Sequence, residues 1–259
     1  MSDSIIVKVE SGVASIKFNR PEVLNSFNRE MALAFQDVLR DCGNDATIRS
    51  IFITGEGRAF CAGQDLAEAI DENGPGLRTI VAEHYNPIIE LIRTVEKPVV
   101  CAVNGVAAGA GANIALACDI VFAGHSSSFI QAFSKIGLIP DSGGTFFLPR
   151  LIGFQRATAL MMLGDKISGA DAQSMGMIYK AVDDVHLLEE AYGCALKLAL
   201  MPTMGLGYTK RALNQSLNND LGAQLAMEEE LQTLAGLTYD YSEGVASFLE
   251  KRKPVFKGE

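Results

Sequence analysis

No run of about 18 uninterrupted apolar residues occurs among the 259 residues, so a membrane-spanning helix is not expected. The opening Met1-Ser-Asp-Ser-Ile5 lacks the basic n-region of a secretory signal, and the expected location is the cytoplasm. Cysteine is scattered: Cys42, Cys61, Cys101, Cys118 and Cys194 form no C-x-x-C pair and show no pairing with the three histidines. That spacing argues against a disulfide framework and against a zinc site, and no metal is expected. Positive charge is in deficit, with 22 Lys and Arg against 31 Asp and Glu, a net −9. A basic stripe of the kind that holds nucleic acid is therefore not expected, although local N–H groups and a few cations suffice for a small anion. Internal repeats of 20 to 50 residues and low-complexity linkers are also missing.

What is present centres on Asn104 to Asp119, N-G-V-A-A-G-A-G-A-N-I-A-L-A-C-D. A short β-branched apolar run, Pro98 to Val103, precedes it and suits a strand buried on both faces. Small and then helix-compatible residues follow Gly109, so the turn should open a helix whose first N–H groups lack intrahelical partners and carry partial positive charge. Gly105, Gly109 and Gly111 have no Cβ to keep another molecule away from that backbone. Two uses fit: a receiver for an anion, or a tight strand-to-helix turn packed closely.

Strand and helix signals alternate through the first half. Ile5–Val9 and Val13–Phe18 read as a hairpin around Ser11-Gly12, Asn28 caps a helix over 29–42, and Ser50–Thr54 is a strand. Residues 58–63 form a short extended piece and 71–76 a loop; a long amphipathic helix spans 77–95, with strands again at 98–103, 119–123 and 128–130. From Gly143 onward helical periodicity dominates, ending in an amphipathic piece over 242–251. The expected architecture is α/β with parallel crossovers: a core over residues 1–200 and a helical C-terminal subdomain over 201–259.

Two further features bear on chemistry. Phe60-Cys-Ala-Gly-Gln-Asp65 offers a second set of small-residue amides, and an oxyanion is held best by two converging N–H donors. Ile139-Pro-Asp-Ser-Gly-Gly144 places a carboxylate on a proline-initiated turn ahead of a helix, where Asp141 serves either as an acid/base or as a helix cap. Cys61, with no histidine beside it in sequence, reads as a small buried thiol. His84 and Tyr85 on the long helix face either a ligand or the core.

These stretches resemble the crotonase, or enoyl-CoA hydratase/isomerase, superfamily. The residues that carry the likeness are Asn19-Arg-Pro21 with Leu24-Asn25, Ala59-Phe-Cys-Ala-Gly-Gln-Asp-Leu66, Lys97-Pro98, Ala102-Val-Asn-Gly105, Gly109-Ala-Gly111 with Asp119, and Gly137-Leu-Ile-Pro140 with Gly143-Gly144. The resemblance runs over essentially the whole chain. It implies a spiral of ββα repeats with a helical C-terminal trimerisation region, and a homotrimer or dimer of trimers. It implies an acyl-CoA thioester as substrate, with no cofactor beyond the CoA moiety itself and neither nucleic acid nor membrane as partner. It also assigns the Ala62 and Ala110 N–H groups to an oxyanion hole, and Arg20, Leu24, Ala62, Gly63, Gln64, Asp65, Leu66, Phe256 and Lys257 to CoA binding. Asp65 and Asp119 recur in the family pattern and read as structural.

The departures narrow the expected reaction. Hydratases of the family use two glutamates, and the corresponding positions hold Asn113 and Phe133, neither of which exchanges protons at neutral pH. Asp141 remains as the ionisable group, in surroundings expected to be apolar from Phe129, Phe133 and Ile139. One carboxylate suffices for a 1,3 proton shift when an oxyanion hole holds the dienolate. Stretches such as Ala132 to Asp141 and Tyr241 to Leu249 resemble most the family's phenylacetate branch, which isomerises 2-(1,2-epoxy-1,2-dihydrophenyl)acetyl-CoA. The dehalogenase branch, also with an aspartate, is disfavoured because its aryl site uses tryptophan and this chain has none. Catalysis by Asp141, Ala62 and Ala110 is thus expected, with hydration, or CoA binding without chemistry, as alternatives.

Overall fold

Alternating apolar residues put the six-stranded main sheet between two layers. The computed structural model describes residues 3–259; Met1 and Ser2, part of the opening stretch read for a targeting signal, lie outside the described residues. The strands are β1 (Ile5–Glu10), β2 (Val13–Phe18), β3 (Ser50–Gly55), β4 (Ala59–Cys61), β5 (Val99–Val103), β6 (Val106–Ala108), β7 (Ile120–Gly124), β8 (Ser128–Ile130), β9 (Lys166–Ser168) and β10 (Lys180–Val182). The main sheet runs β1-β2-β3-β5-β7-β10, parallel except for the β1–β2 hairpin. Ile51, Ile53, Val99, Cys101 and Val103 point to one side, with Phe35 and Leu39 of the helix Arg29–Asn44 in the same cluster. Phe52, Val100, Ala102 and Phe122 point to the other, where the helix Leu187–Ala199 presents Ala191, Ala195 and Ala199. A strand covered on both faces needs apolar residues at every position, and all five of β5 are buried.

A second sheet, β4-β6-β8-β9, runs parallel apart from β9. Each repeat sends a strand through the main sheet, turns a corner into a short strand of the second, and then enters a helical segment. β3–β4, β5–β6 and β7–β8 each follow this order, so the spiral of ββα repeats is observed. Residues 58–63, expected only as an extended piece, thus supply a strand to a different sheet, and β6, β9 and β10 join the expected strands. The corners demand close backbone approach: a Cβ on Gly55 or Gly105 would overlap the carbonyl of Ala59 or Arg58 respectively. Gly105 therefore serves packing.

The long helix expected over 77–95 is interrupted. An α turn at Leu77–Thr79 leads into a π-helix at Ile80–Tyr85, and regular α-helix resumes at Asn86–Thr94. The wider turns change the backbone pairing, and Gln36 Nε2 reaches in from the facing helix to donate to the Glu83 and His84 carbonyls at 2.6 and 3.1 Å. Around the same corner Phe18 packs edge-on against Phe27 and Phe35, with ring centroids 5.1 Å apart in both pairs. Each such contact contributes roughly 0.5–1.5 kcal/mol beyond burial. The cluster seats the segment around Phe27 on which the site is built.

The C-terminal helices Thr203–Ser216, Leu221–Gly236 and Tyr239–Glu250 lie against the core through specific ties. Lys210 Nζ meets Asp119 Oδ2 at 2.8 Å, and Arg49 donates to Met201 O, Thr203 Oγ1 and Phe256 O. Leu237, Phe248 and Leu249 on these helices are 80, 83 and 74% exposed. Among the described residues no helix is long and apolar enough to cross a membrane.

Candidate active site

A cavity of about 200 Å³ opens where β4, the helix Ala110–Ala117 and the turn carrying Asp141 meet. Leu77, Ile80 and Tyr85 close one side, and Ala132, Phe133 and Leu138 another. The glycine-rich turn behaves as a helix start without a cap: Gly109, at φ 52° and ψ −127°, occupies the N-cap position and has no side chain to offer. Gly109 N–H donates to Ile130 O at 2.9 Å, whereas Ala110 N–H has no acceptor among the described residues and borders the cavity. Gly111 serves close packing, since a Cβ there would overlap the Cys61 carbonyl and thiol.

The facing amide is not the expected one. Ala62 N–H donates to the Leu24 carbonyl at 3.0 Å, and a donor already bonded inside the fold is not free for a ligand. Gly63 follows at φ 95°, which breaks the strand alternation, and its carbonyl accepts from Phe27 N–H at 2.7 Å. In a trans peptide the carbonyl and the next N–H point in opposite directions, so the Gln64 N–H is aimed away from Phe27. It has no acceptor among the described residues and lies at the cavity wall. A Cβ built on Gly63 would sit 3.5 Å from the Ala110 nitrogen, which places the two free N–H groups side by side. Ala62 lines the cavity but its N–H is spent on the Leu24 carbonyl, and the free N–H at this wall belongs to Gln64.

Asp141 lies at the cavity on a turn held from behind. Asn113 Nδ2 donates to the Asp141 backbone carbonyl at 2.8 Å, and Asn113 Oδ1 accepts from Gln131 Nε2 at 2.8 Å. Asn113, fully buried, thus acts as a brace, with Gly144 pressed against its amide. The helix Gly144–Ile152 is capped by Gly143 with no side-chain bond, so the Asp141 carboxylate is not its cap. Burial pushes that carboxyl above the ordinary carboxylate range, partly offset by the hydrogen bond from Ser142 Oγ at 2.8 Å. Of the apolar neighbours expected, Phe133 is at the cavity, Phe129 is buried in β8, and Ile139 is 80% exposed.

Other expected residues fall into three groups. Gly63, Gln64 and Leu66 line the cavity. Arg20 pairs with Asp65 at 2.9 Å and donates to Ser26 O, tying the Leu24 turn to the N-cap of the helix Leu66–Ala69. Phe256 and Lys257 are not brought to the cavity by this chain: the Phe256 carbonyl is bonded to Arg49, and the Lys257 ammonium lies 4.0 Å from the Tyr239 ring centroid. Asp119 is structural, accepting from Val99 N–H and pairing with Arg93 and Lys210. Burial pushes the Cys61 thiol up to about 12, which leaves it inert. Of the pair on the π-helix, Tyr85 lines the cavity while His84 turns to Arg29, with Nε2 3.2 Å from Nη1. Among the described residues no cluster of three or more His, Cys, Asp or Glu is arranged to hold a metal ion.

The family model described as enoyl-CoA hydratase/isomerase matches residues 8–259. The chain belongs to this family. Among enoyl-CoA hydratase/isomerase relatives it is 48% identical to the 1,2-epoxyphenylacetyl-CoA isomerase of Escherichia coli K12, over 100% of both chains. It is 34% identical to the 2,3-dehydroadipyl-CoA hydratase of the same organism, over 98% of each. The crystal structure of an enoyl-CoA hydratase from Bacillus anthracis superposes with a TM-score of 0.92 at 33% identity, covering 99% of this chain and 100% of that one.

Proposed function

We propose that this member of the family is an acyl-CoA isomerase, with Asp141 as its single acid/base. One observation carries the reading: a buried carboxyl with a raised pKa shares an apolar cavity with two adjacent free main-chain N–H groups. A thioester oxygen accepts from Gln64 and Ala110 N–H. The Asp141 carboxylate removes a proton from the α-carbon of a 3-enoyl thioester, and the electron pair spreads into a dienolate whose charge the two amides stabilise. The carboxylic acid then delivers the same proton to the γ-carbon and is restored. Loss of one such donor typically costs roughly 10²–10³ in rate. Support for a ring-epoxide substrate comes from the 48% identity to the E. coli isomerase.

Asp141→Asn should lower turnover of a 3-enoyl-CoA by about 10² or more, in the range of general acid–base contributions. In the unaltered enzyme kcat/KM should fall as pH drops through the raised Asp141 pKa, with its midpoint above the ordinary 3.8. An Asp141→Asn enzyme with full activity would sink the assignment. Hydration is the second reading, favoured by the 34% identity to a hydratase. It predicts 3-hydroxybutyryl-CoA from crotonyl-CoA; Asn113 and Phe133 offer no ionisable group for it. A CoA-binding protein without chemistry would show no solvent deuterium exchange at the α-carbon of a bound acyl-CoA.

A further inference from the structure

One buried titratable group takes no part in the proton transfer. His84, on the π-helix, is 1% exposed, and its Nε2 lies 3.2 Å from Arg29 Nη1. A guanidinium has protons to give and no lone pair to offer, so Nε2 accepts and the imidazole proton sits on Nδ1. The same Nη1 donates to Glu83 Oε2 at 3.0 Å, which occupies its second proton. Nδ1 is buried and has no hydrogen-bond partner among the described residues. The imidazole is thus held neutral, with one nitrogen against a cation and the other enclosed.

The contact is one link of a closed circuit. Arg29 main-chain N–H, at the start of the helix Arg29–Asn44, donates to Glu68 Oε1 at 2.8 Å, and Glu68 Oε2 accepts from Gln64 Nε2 at 2.9 Å. Gln64 Oε1 accepts from the Tyr85 hydroxyl at 2.9 Å, and Tyr85 follows His84 in the chain. Gln64 and Tyr85 both line the cavity, so the circuit is also part of its wall.

We infer that His84 is an acid-sensitive latch on this circuit: neutral, it holds Arg29 against the π-helix, and on taking up a proton it releases Arg29 and loosens the cavity wall. A proton on Nε2 would point at the guanidinium, turning an acceptor into a second cation 3.2 Å away. Burial is the largest influence on the group and lowers its pKa below the ordinary 6.5. Glu68 of the short helix Leu66–Ala69 opposes that shift, Arg29 adds to it, and Glu83 beside it in the π-helix opposes it. The sign follows from where the proton goes. Above about pH 6.5 folded and unfolded chains both carry a neutral imidazole; below it the unfolded chain takes the proton that the fold excludes, and stability is lost as pH falls.

The test needs no turnover, which keeps it separate from the titration of Asp141. In protein carrying 15N-labelled histidine, NMR at about pH 7.5 should show His84 as the Nδ1–H tautomer, still neutral as pH drops past about 6.5. Urea unfolding followed by circular dichroism supplies the second reading. Between about pH 7.5 and about pH 5.5 the unfolding constant of the unaltered protein should rise about fivefold more than that of His84→Gln, which keeps an acceptor for Arg29 but cannot titrate. Hydrogen exchange over residues 80–86, corrected for intrinsic rates, should quicken by about threefold or more in acid in the unaltered protein and not in His84→Gln. An Nε2–H tautomer or a charged His84 at about pH 7.5 overturns the inference. So does a pH dependence of unfolding that His84→Gln leaves within about twofold, or an exchange rate over residues 80–86 that acid does not change.

Discussion

Asn113 shows how one side chain changes what its neighbour does. Its amide donates to the Asp141 carbonyl and accepts from Gln131, two roles that a carboxylate does not combine at neutral pH. Asn113, where the resemblance to hydratases implies an acid, therefore braces the turn that carries Asp141, the proposed base. Asn113→Glu should fail to create a hydratase: the site is fully buried, Gly144 leaves no room for another methylene, and an unpaired charge would be stranded. Crotonyl-CoA should stay unhydrated and 3-enoyl-CoA turnover should fall about tenfold or more as the Asp141 turn shifts. The turn that carries Asp141 and the helix start after Gly109 were legible in the sequence, and the resemblance singled out Ala110 there. The Gln64 donor was not, because it depends on the φ of Gly63 and on a hydrogen bond to Phe27 from 36 positions away, neither of which a local pattern encodes.

At the scale of elements, the π-helix decides which residues reach the cavity. Its carbonyls at Glu83 and His84 accept from one side chain, Gln36. Gln36→Ala should cost about 1–3 kcal/mol by denaturant unfolding, the range for leaving buried polar groups unsatisfied, and should weaken ligand binding at Tyr85 as the pitch relaxes. Helix was legible over 77–95 from apolar spacing, whereas the change of pitch was not, since six residues are too few to separate two helical periods. Three-residue strands such as β6, β9 and β10 likewise leave no alternation to read, and they exist because neighbouring strands supply their hydrogen bonds.

For the whole molecule, the α/β class with parallel crossovers followed from alternating strand and helix signals and the ββα spiral from the family resemblance, whereas the sheet order β1-β2-β3-β5-β7-β10 was not legible, because it depends on pairings between strands far apart in sequence. The C-terminal helices leave Leu237, Phe248 and Leu249 largely uncovered. A homo-oligomer, which the family resemblance implies, is expected to cover them. Light scattering coupled to gel filtration should give a mass of at least three 27.7 kDa chains, reduced by Phe248→Glu combined with Leu249→Glu. A single-chain mass in the unaltered protein would rule this out.

The neighbouring amides of Ala62 and Gln64 separate inheritance from chemistry. One holds the strand, the other lies at the cavity wall, and both belong to the main chain. Nineteen amino acids at position 64 would keep the donor, and only Gln64→Pro would delete it. A replacement there would give up the side-chain bonds to Tyr85 and Glu68 and alter the cavity wall, while the proposed oxyanion contact, made by the main chain, would remain.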